Sequence, residues 1–593
     1  MNGSAKTKEQ FCLQGVAASP GIAIGEVYLL DRQRISVVEQ QIGPEHLDAE
    51  VAAFSAAVEL TRLQLEQVQE QLRQNCQQEP FHIIDTQLLI LRDPLLYEAT
   101  IVRIRQLQIN AAGALKQVLQ ELLRTFEGIA DEYLRERGSD VELVGERILR
   151  NLQGHEQPRV ARLERRSVIV AHDLSPADTC QLDRVQVVAF VTDLGGRTSH
   201  TAILARSLDI PAVVGLERVT QQLPAGAPVI IDGNSGLLIA YPTAETLRQY
   251  LEKKRRYEFY QKQLQVYRDL PACTRDGVSI RLQANLEFLQ EAEPARRNGA
   301  EGVGLLRTEF MYMARQQPPD EEEQLQAYRQ ILASFRPDPV TIRTLDVGGD
   351  KFASGICLAD EANPAMGLRS IRLSLWEQRL LRQQLRAILR ASAEGPVRLM
   401  FPMISGLSEV RQCRALLDEV MAELRLEGHS FDARLPVGIM VETPSAVFLA
   451  DVLAEEVDFF SIGTNDLIQY CLAVDRSNEH VAYLYEPFHP AILRALTQVA
   501  DAAHQAGIGL SVCGEMAGEP MFSIVLLALG YRELSMNSSG ISRVKKMVRQ
   551  WDSHSNSVLR ETLLRQKTAA DVLRCLQQQL ASAFPEAVPE LDY

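Results

Sequence analysis

Two patterns alternate in the first 243 residues: short apolar runs that are typical of strands, and long stretches with helical spacing. Residues 16–30 predict two short strands around a Ser-Pro-Gly turn. Further on, apolar residues recur at helical spacing, as at Phe54, Val58 and Leu65, which indicates a bundle of helices. Short apolar runs return from residue 168. The pattern therefore predicts a discontinuous strand-rich domain, residues 1–43 and 155–243, interrupted by an inserted helical domain, residues 44–154.

The remaining chain has a more regular pattern. Residues 244–270 form a charged helical stretch, which we interpret as a linker between two regions of different texture. From residue 271 to 593, eight apolar β-like segments follow one another, and helix-like runs separate most of them. Eight β/α units over roughly 300 residues are typical of a TIM barrel. The sequence therefore predicts a multidomain α/β protein that ends in a (β/α)₈ barrel.

Charged and polar side chains follow five of the predicted barrel strands. They are Arg307 with Glu309, Arg343 with Asp346, Glu442, Asn465 with Asp466, and Cys513 with Glu515. In a TIM barrel the chemistry takes place at the carboxyl ends of the strands. Charges in such places are costly unless they meet a ligand, a metal or each other. Five strands that end this way indicate one shared site.

The residue types at these strand ends suit a phosphorylated substrate. Glu442 and Asp466 are hard oxygen donors, and two carboxylates together with a substrate phosphate are a common way to hold Mg²⁺. The alternative is a pair of salt-bridge acceptors, and the spacing favours the metal. Arg307, Arg343 and Arg476 offer planar forks that suit carboxylate and phosphate oxygens. Together these residues predict a site for a small polyanion and a metal ion.

Cys513 has a different position from the other cysteines considered. Cys357, Cys413 and Cys575 are predicted to be small core hydrophobes, as free cysteines usually are. Cys513 ends a predicted strand, between an apolar residue and a glycine. A thiol in that place can face substrate and act as a general acid.

His200 lies in the segment GGRTSHTAILAR, where two glycines precede the start of a helical pattern. Glycines allow the backbone to approach a bulky group, and the first turn of a helix offers free N–H groups to an anion. The positive end of the helix dipole lowers the pKa of an imidazole, which keeps one nitrogen free as a nucleophile. The alternative is a Ser-His helix cap without chemistry. Beside a polyanion-binding barrel, the sequence favours phosphorylation of His200.

Composition excludes several classes of protein. The 593 residues are 46% hydrophobic, enough to bury the cores of roughly two to four domains. A formal net charge of −15 argues against nucleic-acid binding. Nine cysteines without a CxxC pair indicate reduced thiols in a cytoplasm. The N-terminus has no apolar signal region, and no run of about 18 apolar residues predicts a membrane span.

The longest motifs match one family. GGRTSHTAILARSLDIPAVVG resembles the phosphohistidine segment of the phosphoenolpyruvate-using enzymes, and nearly the whole chain is similar to Enzyme I of the bacterial sugar phosphotransferase system. The similarity includes ASPGIAIGEV, GLLRTEFMY, TIRTLDVGGDK, NPAMGLRSIR, GIMVETPSA, FFSIGTNDLIQYCLAVDR and SVCGEMAG, in this order. The resemblance implies a swivelling phosphohistidine domain, an inserted helical domain that docks the carrier protein HPr, a linker helix, and a barrel that binds phosphoenolpyruvate and forms a homodimer.

The resemblance also implies roles for individual residues. His200 matches the histidine that takes the phosphoryl group from phosphoenolpyruvate, and Cys513 matches the acid that protonates C3 of the pyruvate enolate. The residues that match phosphoenolpyruvate ligands are Arg307, Arg343, Asn465 and Arg476. Those that match Mg²⁺ ligands are Glu442 and Asp466, and those with supporting roles are Thr179, Arg369 and Asp346. In the family, pyruvate is released after this first transfer, and the phosphoryl group then passes to a histidine of HPr as the first step of sugar uptake. Since His200 precedes the barrel in a different predicted domain, we expect a rigid-body swing about the linker.

Departures from the family and rival functions are few. Gln87, in DTQLLILRD, stands where many members have a histidine, which bears on the preferred HPr. A pyruvate phosphate dikinase or phosphoenolpyruvate synthase needs a nucleotide domain, for which the chain has no room, and no GxxxxGK[ST] loop is present. The other rival is a regulator that docks HPr without turnover, and the intact set of matched residues argues against it.

Overall fold

The computed structural model describes residues 9–30, 38–75, 87–88, 90–91, 93–127, 141, 144–154, 166–174, 186–196, 201–202, 205, 210–312, 318–347, 363–475, 478 and 480–583. The chain divides into two compact units, Met1–Phe259 and Tyr260–Tyr593.

The first unit contains an eight-stranded mixed sheet in the order β1-β8-β7-β3-β4-β5-β6-β2. Its strands are β1 (Phe11–Gln14), β2 (Val16–Ser19), β3 (Ile22–Leu29), β4 (Ser167–Ala171), β5 (Val187–Thr192), β6 (Ala212–Val214), β7 (Pro228–Asp232) and β8 (Leu237–Ala240). Neighbours from β3 to β6 are parallel, and the other pairs are antiparallel. Alternate residues of β4 enter separate apolar clusters, Val168 in one and Ile169 in another, so both faces of the sheet are covered.

Helices occupy the sequence between β3 and β4. They are Leu47–Asn75, Tyr97–Leu107 and Ala111–Glu127, and most of residues 144–152 are helical as well. Their apolar stripes meet in a core that includes Phe54, Leu65, Ile104 and Leu115, each fully buried. The predicted helical insertion is thus observed, while the exact domain boundaries stay a prediction.

A long helix, Ala244–Arg268, follows the sheet and runs through the boundary between the two units. In the first unit its Lys253 ammonium donates to the buried Asp232 carboxylate at 2.8 Å. Leu264 is its one buried residue, and its other side chains are exposed or partly exposed.

The second unit is a closed barrel of eight parallel strands, which confirms the predicted fold class. The strands are β9 (Arg281–Leu286), β10 (Val303–Leu306), β11 (Val340–Arg343), β12 (Val397–Phe401), β13 (Val437–Val441), β14 (Phe459–Ile462), β15 (Gly509–Val512) and β16 (Glu533–Met536). Each of the eight predicted apolar segments contains one of them. β16 pairs with β9 from Glu533 opposite Arg281 to Met536 opposite Ala284, and this pairing closes the barrel.

The helices of the second unit lie between and after the barrel strands along the chain. They are Ala292–Arg297, Glu321–Phe335, Ser370–Trp376, Gln378–Ser392, Leu407–Glu427, Pro444–Phe448, Ala450–Ala454, Thr464–Leu472, Pro490–Ala506, Pro520–Ala528, Ile541–Gln550, Asn556–Leu564 and Ala569–Ala583. In the described ranges, no helix combines the length and apolar character needed to cross a bilayer. Cys413 is buried as predicted, Cys575 is partly buried, and Cys357 lies outside the described residues.

Candidate active site

The carboxyl ends of the barrel strands hold most of the residues that the sequence singled out. Arg343 is the last residue of β11, and Glu442 follows β13 directly. Asp466 lies in the first turn of the helix after β14, and Cys513 follows β15. Three of the predicted site residues, Thr179, His200 and Arg476, lie outside the described residues.

Three carboxylates meet at this end of the barrel: one oxygen each from Asp346, Glu442 and Asp466, all within 4.8 Å of one another. Glu442 is 2% exposed, and its Oε1 accepts a hydrogen bond from the backbone N–H of Met403 at 2.6 Å. A Cβ on Gly463 would lie 2.8 Å from Glu442 Oε2, so the glycine makes room for this carboxylate. Burial, together with Asp346 and Asp466, raises the pKa of Glu442 well above its ordinary value. A cation would relieve this repulsion.

Asp346 differs from the other two carboxylates because two arginines already neutralise it. Its Oδ2 lies 2.8 Å from Arg343 Nη1, and its Oδ1 accepts from Arg369 Nη2 at 3.4 Å. Burial acts to raise the pKa of Asp346, but Arg343 and Arg369 outweigh it and hold the pKa below its ordinary value. The assignment of Glu442 and Asp466 as ligands of a divalent cation stays a prediction.

The described arginines bring positive charge to the same place. Arg343 is buried between Glu309, at 2.9 Å from Nη2, and Asp346. The Nε atoms of Arg343 and Arg369 are buried without a hydrogen-bond partner among the described residues. Arg307 pairs with Glu287, and burial and the nearby Arg343 lower its pKa. Buried guanidinium donors without partners are what an anionic ligand would satisfy.

Asn465 is held in one orientation by Glu515. Its Nδ2 donates to Glu515 Oε1 at 3.3 Å, and its Oδ1 accepts from the Glu515 N–H at 3.2 Å. The carbonyl of Asn465 accepts from the Tyr485 hydroxyl at 3.4 Å. This arrangement ties the helix after β14 to the turn after β15 and fixes the edge of the site.

The Cys513 thiol is buried at the end of β15. It is 2% exposed, belongs to an apolar cluster with Leu305, Met400, Met440 and Phe459, and donates to the Ile462 carbonyl at 3.5 Å. Burial raises the pKa of Cys513 to about 11. The group is therefore a thiol rather than a thiolate at neutral pH, which is the state that a general acid requires.

In the first unit, the described residues on either side of His200 are anchored to the end of β4. Asp193 is buried, and its carboxylate lies 3.0 Å from His172 Nδ1 and accepts from the Thr220 N–H at 3.0 Å. On the other side, the Thr201 hydroxyl donates to Asp173 at 3.4 Å. Burial acts to raise the pKa of Asp193, but hydrogen bonds from His172 and Thr220 lower it overall. Asp193 and Thr201, the described residues on the two sides of His200, are thus both held by hydrogen bonds.

Sequence reasoning gave no role to His172 or Glu309, although both contact predicted site segments. The signal for each was similar: His172 directly follows the apolar strand β4, and Glu309 lies three residues after the end of the apolar strand β10. The sequence predicts Glu309 at the shared site, and the structure shows that its side chain contacts Arg343.

Comparison with known proteins places the chain among phosphoenolpyruvate enzymes. Three family descriptions match it: "PEP-utilising enzyme, N-terminal" at residues 14–137, "PEP-utilising enzyme, mobile domain" at 163–236, and "PEP-utilising enzyme, PEP-binding domain" at 261–553. The phosphoenolpyruvate-protein phosphotransferase of Staphylococcus carnosus (strain TM300) is 40% identical over 96% of this chain and 99% of its own length. That of Haemophilus influenzae (strain Rd) is 41% identical over the same shares. That of Staphylococcus aureus is 42% identical over 90% of this chain and 94% of its own length.

Proposed function

Since the chain belongs to the family of phosphoenolpyruvate-protein phosphotransferases, we propose that it moves the phosphoryl group of phosphoenolpyruvate to its own His200 and then to a carrier protein of the HPr type. The observation that carries this proposal is the cluster at the barrel's carboxyl end. There, two carboxylates without an arginine partner among the described residues lie beside buried guanidinium groups and a thiol whose pKa is raised by burial. This set matches the parts of phosphoenolpyruvate, namely a phosphate, a carboxylate and a carbon that must gain a proton.

In the proposed reaction, Arg307, Arg343 and Asn465 hold phosphoenolpyruvate by its anionic groups. Arg476 joins them as the resemblance implies. A nitrogen of the neutral His200 imidazole attacks phosphorus in line with the leaving enolate oxygen, so the P–O bond breaks as the P–N bond forms. Cys513 then gives its proton to C3 of the enolate, which yields pyruvate and makes the transfer favourable.

Glu442 and Asp466 would hold Mg²⁺, and the crowding of these carboxylates with Asp346 supports a divalent cation at this place. When bound, the ion supplies charge neutralisation and a Lewis acid for phosphate oxygens. Asp346 and Arg369 have supporting roles. Asp346 pairs with both Arg369 and Arg343 and so keeps Arg343 in position. The two proposed metal ligands, Glu442 and Asp466, take no part in this pairing.

The domain assignment is part of the same proposal. We assign residues 1–43 and 155–243 to the phosphohistidine domain, with Thr179 beside the phosphohistidine, and residues 44–154 to carrier docking. Residues 244–270 would be the hinge and 271–593 the substrate and dimerisation barrel. Gln87 is 4% exposed, so its effect on a docked carrier would pass through its neighbours.

Homodimer formation and a cytoplasmic location complete the proposal. Exposed apolar side chains at Phe448, Leu449 and Val452, on two consecutive short barrel helices and the residue between them, support association of two copies. The free state of the six described cysteines supports a reducing compartment.

The direct test is transfer of ³²P from labelled phosphoenolpyruvate, with Mg²⁺, to the purified protein and onward to added HPr. We expect acid-labile, base-stable label on the protein that moves to HPr, because phosphohistidine has this stability. Label that stays on the protein would contradict the proposed carrier, and absence of label would contradict the proposed reaction itself.

Replacing Glu442 with glutamine is expected to weaken divalent-cation binding by about tenfold or more, because it removes one charged ligand. The amide oxygen still accepts the Met403 N–H, and the loss of carboxylate repulsion leaves the metal-free protein at least as stable as the wild type. Mn²⁺ binding followed by electron paramagnetic resonance measures the affinity without any turnover. The matched control is Asp501→Asn, which removes a carboxylate paired with Arg560 elsewhere on the barrel. Equal Mn²⁺ affinity in wild type and Glu442→Gln would exclude Glu442 as a ligand.

A further inference from the structure

Glu309 lies at the start of a short 3₁₀ turn, Glu309–Met311, two residues after the first arginine of the site. Its neighbour Thr308 is fully buried, and the Thr308 hydroxyl donates to the Arg343 carbonyl at 3.0 Å. Gln384 donates to the same hydroxyl at 3.0 Å. These bonds attach the turn after β10 to the end of β11, so the position of the Glu309 backbone is fixed.

The Glu309 side chain uses one oxygen for two contacts. Oε1 accepts from Arg343 Nη2 at 2.9 Å and from the backbone N–H of Asp346 at 3.0 Å. One carboxylate oxygen thus holds both the Arg343 guanidinium and the backbone of Asp346, the other acid that pairs with Arg343. The other oxygen, Oε2, is buried without a hydrogen-bond partner among the described residues.

Arg343 is clamped between two acids as a result. Asp346 Oδ2 lies 2.8 Å from Arg343 Nη1, and the Met440 sulfur lies 3.5 Å from the same nitrogen. With Glu309 on Nη2, each terminal nitrogen has a partner on the protein, while the buried Nε–H group has no hydrogen-bond partner among the described residues. An arginine held by two carboxylates loses its rotational freedom before any ligand arrives, which lowers the entropic cost of binding.

We propose that Glu309 is a positioning residue for substrate binding: through Oε1 it fixes the Arg343 guanidinium and the Asp346 loop, so that the remaining N–H groups of Arg343 are set for an anionic substrate. The identity of that substrate as phosphoenolpyruvate rests on the proposed function. Glu309 itself does not touch the reacting atoms in this account. Its negative charge is not needed for substrate contact, only its oxygen as an acceptor.

Two substitutions separate the role of the Glu309 charge from the role of its oxygen as a hydrogen-bond acceptor. Glu309→Gln keeps an oxygen that accepts from both Arg343 Nη2 and the Asp346 N–H, whereas Glu309→Ala removes the acceptor and leaves a buried guanidinium with one acid. We expect Glu309→Ala to weaken phosphoenolpyruvate binding by about tenfold or more. Glu309→Gln is expected to stay within about fivefold of the wild type, because a neutral acceptor gives a weaker but similarly placed bond. Isothermal titration calorimetry with phosphoenolpyruvate and Mg²⁺ measures both.

The matched control is Glu394→Ala, which removes a carboxylate partner of Arg329 outside the site and should leave phosphoenolpyruvate affinity unchanged. Thermal unfolding of each variant checks that the barrel is folded. In steady-state transfer, the Glu309→Ala effect should fall mainly on KM for phosphoenolpyruvate rather than on kcat. Either of two results would overturn the positioning role: an unchanged affinity in Glu309→Ala, or an equal loss in Glu309→Gln. Failure of the proposed function has a different signature, since the wild type would then bind no phosphoenolpyruvate at all.

Discussion

Replacing His200 with alanine is expected to abolish phosphoryl transfer from phosphoenolpyruvate to the protein and to HPr. The imidazole is the proposed nucleophile, and alanine offers no atom that can form the P–N bond. The expected loss is complete within the sensitivity of ³²P labelling. Phosphoenolpyruvate affinity should stay the same, because the proposed substrate ligands are all in the barrel. Labelling and calorimetry on the same preparation therefore separate the nucleophile from the binding site.

The control for this variant is His429→Ala, which removes a partly exposed imidazole of the barrel that lies 3.6 Å from Glu427. This control should take label and pass it to HPr like the wild type. Full labelling of HPr by His200→Ala would contradict the mechanism, since it would require another phosphorylated residue. Label on the protein but not on HPr would contradict the assignment of His200 as acceptor while leaving the barrel chemistry in place.

The barrel and the ends of its strands could be predicted from the sequence because both depend on local patterns. Each barrel strand is a run of four to six mainly apolar residues, and a polar or charged residue follows several of them directly, as Glu442 follows β13. Burial makes a charge in such a place expensive unless it has a function. The pattern alone therefore pointed to Arg343, Glu442 and Cys513.

The pairing inside the site could not be predicted, because it depends on side chains that meet only in the folded barrel. Asp346 and Glu442 both come after apolar strands in the sequence. In the fold, two arginines pair with Asp346, whereas the bond that reaches Glu442 from the described residues comes from the backbone N–H of Met403. The same holds for Glu309, whose direction depends on the Thr308 and Gln384 bonds beneath it.

Strand β1 is a part of the fold that could not be predicted from the sequence, for a similar reason. Phe11–Gln14 is short, mixes apolar and polar residues, and forms because it pairs with β8 near the other end of the unit. Nothing local distinguishes it from a loop, and the first strand that the sequence predicts begins at residue 16. Strand propensity is weak when the stabilising partner is distant in the chain.

Replacing Cys513 with alanine is expected to slow steady-state turnover by about a hundredfold or more, the usual contribution of a general acid. The variant should still bind phosphoenolpyruvate and still form phosphoenzyme in a single turnover, because the thiol acts after the P–O bond breaks. Pyruvate formation then becomes the slow step. Rapid-quench measurement of phosphoenzyme, together with the rate of pyruvate release, distinguishes the two steps.

The raised pKa of Cys513 gives this prediction a pH dependence. A general acid works only while it carries its proton, and burial raises the pKa of the thiol to about 11. Wild-type turnover should therefore show no loss from thiol ionisation between pH 7 and pH 9, whereas an ordinary exposed thiol, with a pKa of about 8.5, would lose its proton within that window. The matched control is Cys413→Ala, which removes an equally buried thiol outside the site. Turnover that is unchanged in Cys513→Ala would make Cys513 a core residue like Cys413, and the proton for C3 would then have to come from another group.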